Sequence, residues 1–161
     1  MKILIFSDSH GATKLMAQIV AKLAEHINCV MFLGDELRDI NRVASDFPSL
    51  AFYMVPGNCD FSSSLPKELI AEAGGKRFFL THGDRFGIKS GYERIEAAAA
   101  AAKADVCLFG HTHVPIVYEK NGIVFLNPGS ITEPRGARGK TYAVIEILNN
   151  TNTILPKIID A

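Results

Sequence analysis

A chain of 161 residues is long enough for one domain with a substantial core and short for two, so residues 1–161 are read as a single domain. A composition of 48% hydrophobic and 21% charged residues excludes disorder, and 17 basic against 17 acidic residues give no footing for nucleic acid or an anionic membrane as partner. The apolar run after Met1 is too short for a signal-peptide core, nothing reaches bilayer length, and the odd set Cys29, Cys59 and Cys107 suits a reduced cytoplasmic setting better than a disulfide framework.

Lys2 to Phe6 is a continuous apolar stretch, expected to form a buried strand that stops at Ser7-Asp8-Ser9-His10-Gly11. Gly11 to His26 carries Leu15, Ile19, Val20 and Leu23 at helical spacing. The pattern repeats with a strand at Val30 to Leu33, the pair Gly34-Asp35, and a helix over Leu37 to Asp46. Ala51 to Val55 is a third strand, ending at Pro56-Gly57-Asn58-Cys59-Asp60. Leu69 to Ala73 and Lys76 to Thr81 flank Gly74-Gly75, a hairpin signal, and run into His82-Gly83-Asp84. Tyr92 to Lys103, with six consecutive alanines, has high helix propensity and reads as a helix that packs closely. Val106 to Phe109 is a strand closed by Gly110-His111-Thr112-His113, and Val114 to Tyr118 with Ile123 to Leu126 flank the turn Asn121-Gly122. Tyr142 to Leu148 and Thr153 to Ile159 form a last pair joined by a polar turn.

Five polar clusters fall at carboxyl ends of expected strands, where open α/β sheets place their ligand sites. Asp8 with His10, and His111 with His113, are i, i+2 pairs expected to project to one side of an extended backbone. Asp35, Asn58 and His82 add a carboxylate, an amide oxygen and an imidazole. Oxygen and imidazole donors without thiolate suit manganese, iron, nickel or zinc in a working site rather than a sulfur-rich structural one. Seven donors exceed what one ion takes while leaving room for water and substrate, which implies two. A carboxylate has two oxygens and can bridge them, and such a pair can hold a shared hydroxide and clamp a phosphoryl group for in-line attack.

These motifs resemble the calcineurin-like metallophosphoesterases, whose pattern runs D-x-H, G-D, G-N-H-D/E, H and G-H-x-H; the likeness covers Asp8 to His113. Asn127-Pro128-Gly129-Ser130 looks like the small bacterial and archaeal branch of that family. The resemblance implies a four-layer α/β/β/α sandwich. It implies Asp8, His10 and His113 on one metal, Asn58, His82 and His111 on the other, and Asp35 bridging, with Asp35, Asn58, His82 and His111 acting at the phosphoryl group. The implied function is hydrolysis of a small phosphodiester with two divalent ions, manganese first; the alternatives are a phosphomonoesterase and a non-catalytic scaffold like a retromer subunit of this fold. Homo-oligomers are expected from relatives. Two positions depart from the pattern: Cys59 stands where the family has histidine, and Arg38 where it has an acid, with Asp39 one place later.

Outside the ligand set, His26 reads as a surface residue near a helix end. Cys59 reads as a small polar neighbour of the site. The run Arg135-Gly136-Ala137-Arg138-Gly139-Lys140 reads first as a solvated loop and second as a phosphate holder, since arginine binds oxyanions at two points.

Overall fold

The computed structural model describes residues 1–148 and 151–161. Residues 149 and 150, part of the polar turn expected after Leu148, lie outside the described residues.

Strand β1 (Lys2–Phe6) is buried on both faces, as its unbroken apolar run requires. It pairs in parallel with β2 (Cys29–Phe32), which pairs in parallel with β3 (Ala51–Met54). Helix α1 (Thr13–Leu23) lies between β1 and β2, and buries Met16 and Val20, one turn apart. It begins later than Gly11 because that glycine sits at φ +94°, outside helical space. Helix α2 (Leu37–Asp46) follows β2 and buries Leu37, Ile40 and Val43.

Strands β4 (Glu68–Ala73) and β5 (Lys76–Thr81) form the expected hairpin. Helix α3 (Glu93–Ala101) leads to β6 (Val106–Leu108), which lies parallel to β5. Strands β7 (Ile116–Lys120) and β8 (Ile123–Asn127) form the second hairpin. It starts at Ile116 rather than Val114 because Pro115 has no N–H for the ladder. Strands β9 (Thr141–Leu148) and β10 (Thr153–Asp160) form the last. They do not join the other hairpins: β9 pairs antiparallel with β1, so the sheets run β10-β9-β1-β2-β3 and β4-β5-β6-β8-β7.

Alternation along each strand sorts the apolar residues into three layers. Ile3 and Ile5 face the second sheet in a core that includes Met31, Phe78, Leu80, Leu108, Leu126 and Ile145. Leu4 and Phe6 face α1 and α2. Phe79, Cys107 and Phe125 face α3, where Ile95 and Ala99 are buried and the alanine face lets the helix sit close. The result is the four-layer α/β/β/α sandwich. No helix among the described residues is long and apolar enough to cross a membrane.

Candidate metal centre

Parallel strands β1, β2, β3, β5 and β6 end at one edge of the sandwich, and their next residues carry the five polar clusters. The backbone there is not extended. Asp8 (φ 53°), His10 (35°), Asp35 (62°), His111 (66°) and His113 (59°) all have positive φ, which corrects the expectation that each i, i+2 pair projects from an extended segment. Left-handed non-glycine residues cost about 1 kcal/mol or more each and cluster where surrounding contacts over-determine them. Here the contacts are close. A Cβ on Gly57 would fall 2.1 Å from Asp35 Oδ1, and one on Gly110 would fall 1.9 Å from Ser7 Oγ and 2.8 Å from Asp8 Oδ2. Only glycine lets these loops nest.

Each ligand carboxylate has one oxygen held by the protein and one left toward the imidazoles. Asp8 Oδ2 accepts from the Ser7 hydroxyl at 2.6 Å and the His111 N–H at 3.1 Å. Asp8 Oδ1 is buried and accepts no hydrogen bond among the described residues, although His113 Nε2 lies 3.1 Å away. Asp35 Oδ1 accepts from the Cys59 N–H at 2.8 Å, while Oδ2 lies 3.4 Å from His82 Nε2 and 3.9 Å from His10 Nε2. His82 Nδ1 is 2.7 Å from the Leu33 carbonyl and His113 Nδ1 is 2.7 Å from the Glu133 carbonyl. Each ring donates there, which fixes its tautomer and leaves Nε2 free when neutral. Asn58 Oδ1 sits 3.1 Å from His82 Nε2. The rings of His10 and His113 are 5.3 Å apart, and those of His82 and His111 are 5.1 Å apart.

All seven sequence-expected donors therefore meet at one edge. Donor atoms of Asp8, His10, Asp35 and His113 lie within 4.8 Å of one another, with Asn58, His82 and His111 beside them. Buried acceptors facing imidazole nitrogens whose protons point the other way are a fit for divalent cations and a poor arrangement without them. Without ions, protons take that place. Burial acts to lower the His82 pKa, yet the hydrogen bond to Asp35 and the charges of Asp8 and Asp35 outweigh it and raise it. Asp8, with Oδ1 3.1 Å from its Nε2, raises His113. Burial acts to raise the Asp35 carboxyl, but His82 and the Cys59 N–H hold it far below the usual carboxylate range. His111 is lowered by burial and by neighbouring His82 and Lys89.

Two further aspartates, Asp39 and Asp60, hold the ligand loops. Buried Asp39 accepts from Ser9 Oγ at 2.8 Å, Gly11 N–H at 2.7 Å and Thr13 Oγ1 at 2.7 Å. It supports the first loop from one place beyond the expected position. Asp60 accepts from Asp35 N–H at 3.1 Å, Leu37 N–H at 2.8 Å and Gly57 N–H at 2.9 Å, so its oxygens are taken up in joining two loops. Ser130 Oγ donates to the Asp8 carbonyl at 2.8 Å and Asn127 Nδ2 to the Gly110 carbonyl at 2.7 Å, which ties the Asn127-Pro128-Gly129-Ser130 turn to both outer loops. His26 is exposed, and away from the centre. Cys59 is exposed at its edge, its thiol pushed up to about 11 by partial burial and by Asp35, Asp60 and Glu36.

Five of the donors, His10, Asp35, Asn58, His111 and His113, line a cavity of about 130 Å³ that Lys89, Glu133 and Arg135 also line. A more open groove of about 800 Å³ adjoins it at Cys59, lined by Glu36, Arg38, Phe61 and Leu65, and contains none of the seven donors. The chemistry belongs to the smaller one.

Residues 1–150 match the family model of the calcineurin-like phosphoesterase superfamily domain. The chain is 33% identical over 155 residues to the probable metallophosphoesterase YsnB of Bacillus subtilis, covering 96% of this chain and 89% of that one. It is 28% identical over 170 residues to the phosphodiesterase YfcE of Escherichia coli K12, covering 91% and 88%. A crystal structure of a conserved uncharacterized protein of Streptococcus pneumoniae TIGR4, a predicted phosphoesterase, superposes with a TM-score of 0.81 at 31% identity over 99% of this chain and 97% of that one.

Proposed function

Since the chain belongs to the calcineurin-like phosphoesterase superfamily, we propose that it hydrolyses small phosphodiesters at a centre of two divalent ions, manganese before iron, nickel or zinc. Asp8, His10 and His113 would hold one ion, Asn58, His82 and His111 the other, and Asp35 would bridge them. The observation that carries this reading is the facing pair Asp8 Oδ1 and His113 Nε2, 3.1 Å apart without a hydrogen bond between them. Two acceptors that close are favourable only with a positive charge at hand.

Such a pair of ions supplies an activated water and counter-charge for the phosphoryl oxygens. The protein's own part is positional. The Leu33 and Glu133 carbonyls orient His82 and His113, Ser7 and the Cys59 N–H each occupy one carboxylate oxygen, and Asn58 offers an amide oxygen at the open side. Neither Asp60 nor Cys59 stands ready as an acid for the leaving oxygen, since Asp60 is engaged by three N–H groups and the Cys59 thiol holds its proton tightly. Diesters whose leaving group needs little protonation are therefore the favoured substrates. Retention of all seven donors speaks for catalysis over a scaffold role, and the name of the YfcE relative speaks for diesters over monoesters. Elemental analysis of manganese-reconstituted protein, paired with turnover of bis(4-nitrophenyl) phosphate, tests the reading. Two ions per chain with metal-dependent turnover are expected; one ion or none, with no turnover, would sink it.

A further inference from the structure

Five of the seven donors line a cavity of about 130 Å³, below the 300–1,000 Å³ typical of sites that enclose a small organic ligand. On the phosphodiester reading it takes the phosphoryl group, and an ester arm must leave through the rim. Three charged residues stand there: Lys89, Arg135 and Glu133. Among the described residues, neither Lys89 nor Arg135 has a carboxylate within the 4.0 Å of an ion pair. Arg138 in the same glycine-rich run is different, for it is bound to Asp160 at 2.6 Å. The run thus divides, one arginine tied to β10 and one free at the cavity.

Both cations are carried by segments fixed to ligand loops. The Arg135 N–H donates to the His113 carbonyl at 3.1 Å. Lys89 follows Ile88, which is 3% exposed and packs so tightly on the glycine after His82 that a Cβ on Gly83 would fall 2.5 Å from Ile88 Cδ1. Two cations against the single carboxylate of Glu133 leave the rim with surplus positive charge, at a place where a diester's phosphoryl group is already bound deeper in.

The geometry points to Lys89 and Arg135 as an anion clamp that favours phosphoesters bearing a second negative group, a carboxylate or another phosphate, on the arm that leaves the cavity. Arginine offers a planar fork to such a group and lysine a point charge. Exposed ion pairs gain modestly, so each cation contributes up to about fivefold in affinity and the two together about tenfold. The preference weakens as salt rises.

The inference rests on the phosphoesterase reading, and one binding experiment separates the two. Propylphosphonate and 3-phosphonopropionate match in length and differ by one carboxylate. Calorimetric titration of both into manganese-reconstituted protein is expected to show about tenfold tighter binding of the carboxylate-bearing probe at low salt. In the double variant Lys89→Gln, Arg135→Gln, with metal content and melting temperature checked, that ratio falls to near one. Equal affinities in the parent, or a preference that survives in the double variant, overturn the clamp. Turnover of bis(4-nitrophenyl) phosphate is measured on the same samples. Turnover without the preference removes the clamp alone, and the preference without turnover keeps the clamp and removes the esterase.

Discussion

Leu80 and His82 are two residues apart and almost equally buried, at 0% and 1% exposure, yet they belong to regions built on opposite terms. Leu80 lies between the sheets, where β1, β2, β5, β6 and β8 run extended and every buried neighbour in the cluster is apolar. Burial there stabilises without further conditions. His82 lies at the edge, where burial is tolerable only because Leu33, Asn58, Asp35 and Asp8 face the ring. The interior holds the fold together, while the edge consumes part of that stability in left-handed backbone and unpaired acceptors. Damage to each should therefore register in different measurements.

The sharpest separation comes from the edge. Asp35→Asn and His111→Ala are expected to lower diester turnover at least about 10²-fold, since partners one layer out from a metal already cost 10–100-fold, while the melting temperature of metal-free His111→Ala stays near the parent's. Turnover and metal content both unchanged in either variant would break the comparison. Leu80→Ala should do the reverse, with a loss of about 2–5 kcal/mol in denaturant unfolding and an unchanged ion count per folded chain. Asp60→Ala falls between, because it orphans three N–H groups yet touches no ion. A loss of about 1–3 kcal/mol is expected, together with weaker metal retention on dialysis.

The smallest effect concerns pH, and its sign differs between forms. In metal-free protein the pKa values of His82 and His113 lie above the ordinary 6.5, so their contribution is fully present below 6.5 and is lost as pH rises through the raised values. Ion binding needs neutral rings, so it strengthens over that same rise. Melting curves should show the metal-free form losing stability as pH rises above about 6.5 and the manganese form gaining on it. Parallel trends would show that the rings carry no such protons.

Much of this was legible in the chain. Apolar period placed β1, β2 and α2 to within a residue or so, Gly74-Gly75 and Asn121-Gly122 marked the first two hairpins, and the seven donors stood at strand ends. What local pattern could not carry was the partner of each element. The β9–β10 pair reads as one more hairpin, and only the tertiary fold sets it beside β1. The left-handed turns at Asp8 and His111 depend on Gly110 meeting Ser7 across more than a hundred residues. Asp39 and Asp60 look like ordinary helix and loop acids until their acceptor oxygens are followed to Ser9, Gly11, Asp35 and Gly57. Likewise, nothing local distinguishes Arg135 from Arg138.

The loop after Asp60 has a property of another kind. Asp60 fastens one end to Gly57 and Asp35, and Lys67 Nζ fastens the other to the Gly57 carbonyl at 3.0 Å. Between these rivets Phe61 is 91% exposed and Leu65 41%, and the stretch forms one wall of the groove beside Cys59. Change here is mechanically isolated from the donors. Insertions and substitutions between Asp60 and Lys67 can remodel what the groove admits without dislodging Asp35, giving natural drift or a directed-evolution library a short segment in which selectivity is free to wander while the reaction chemistry is inherited intact.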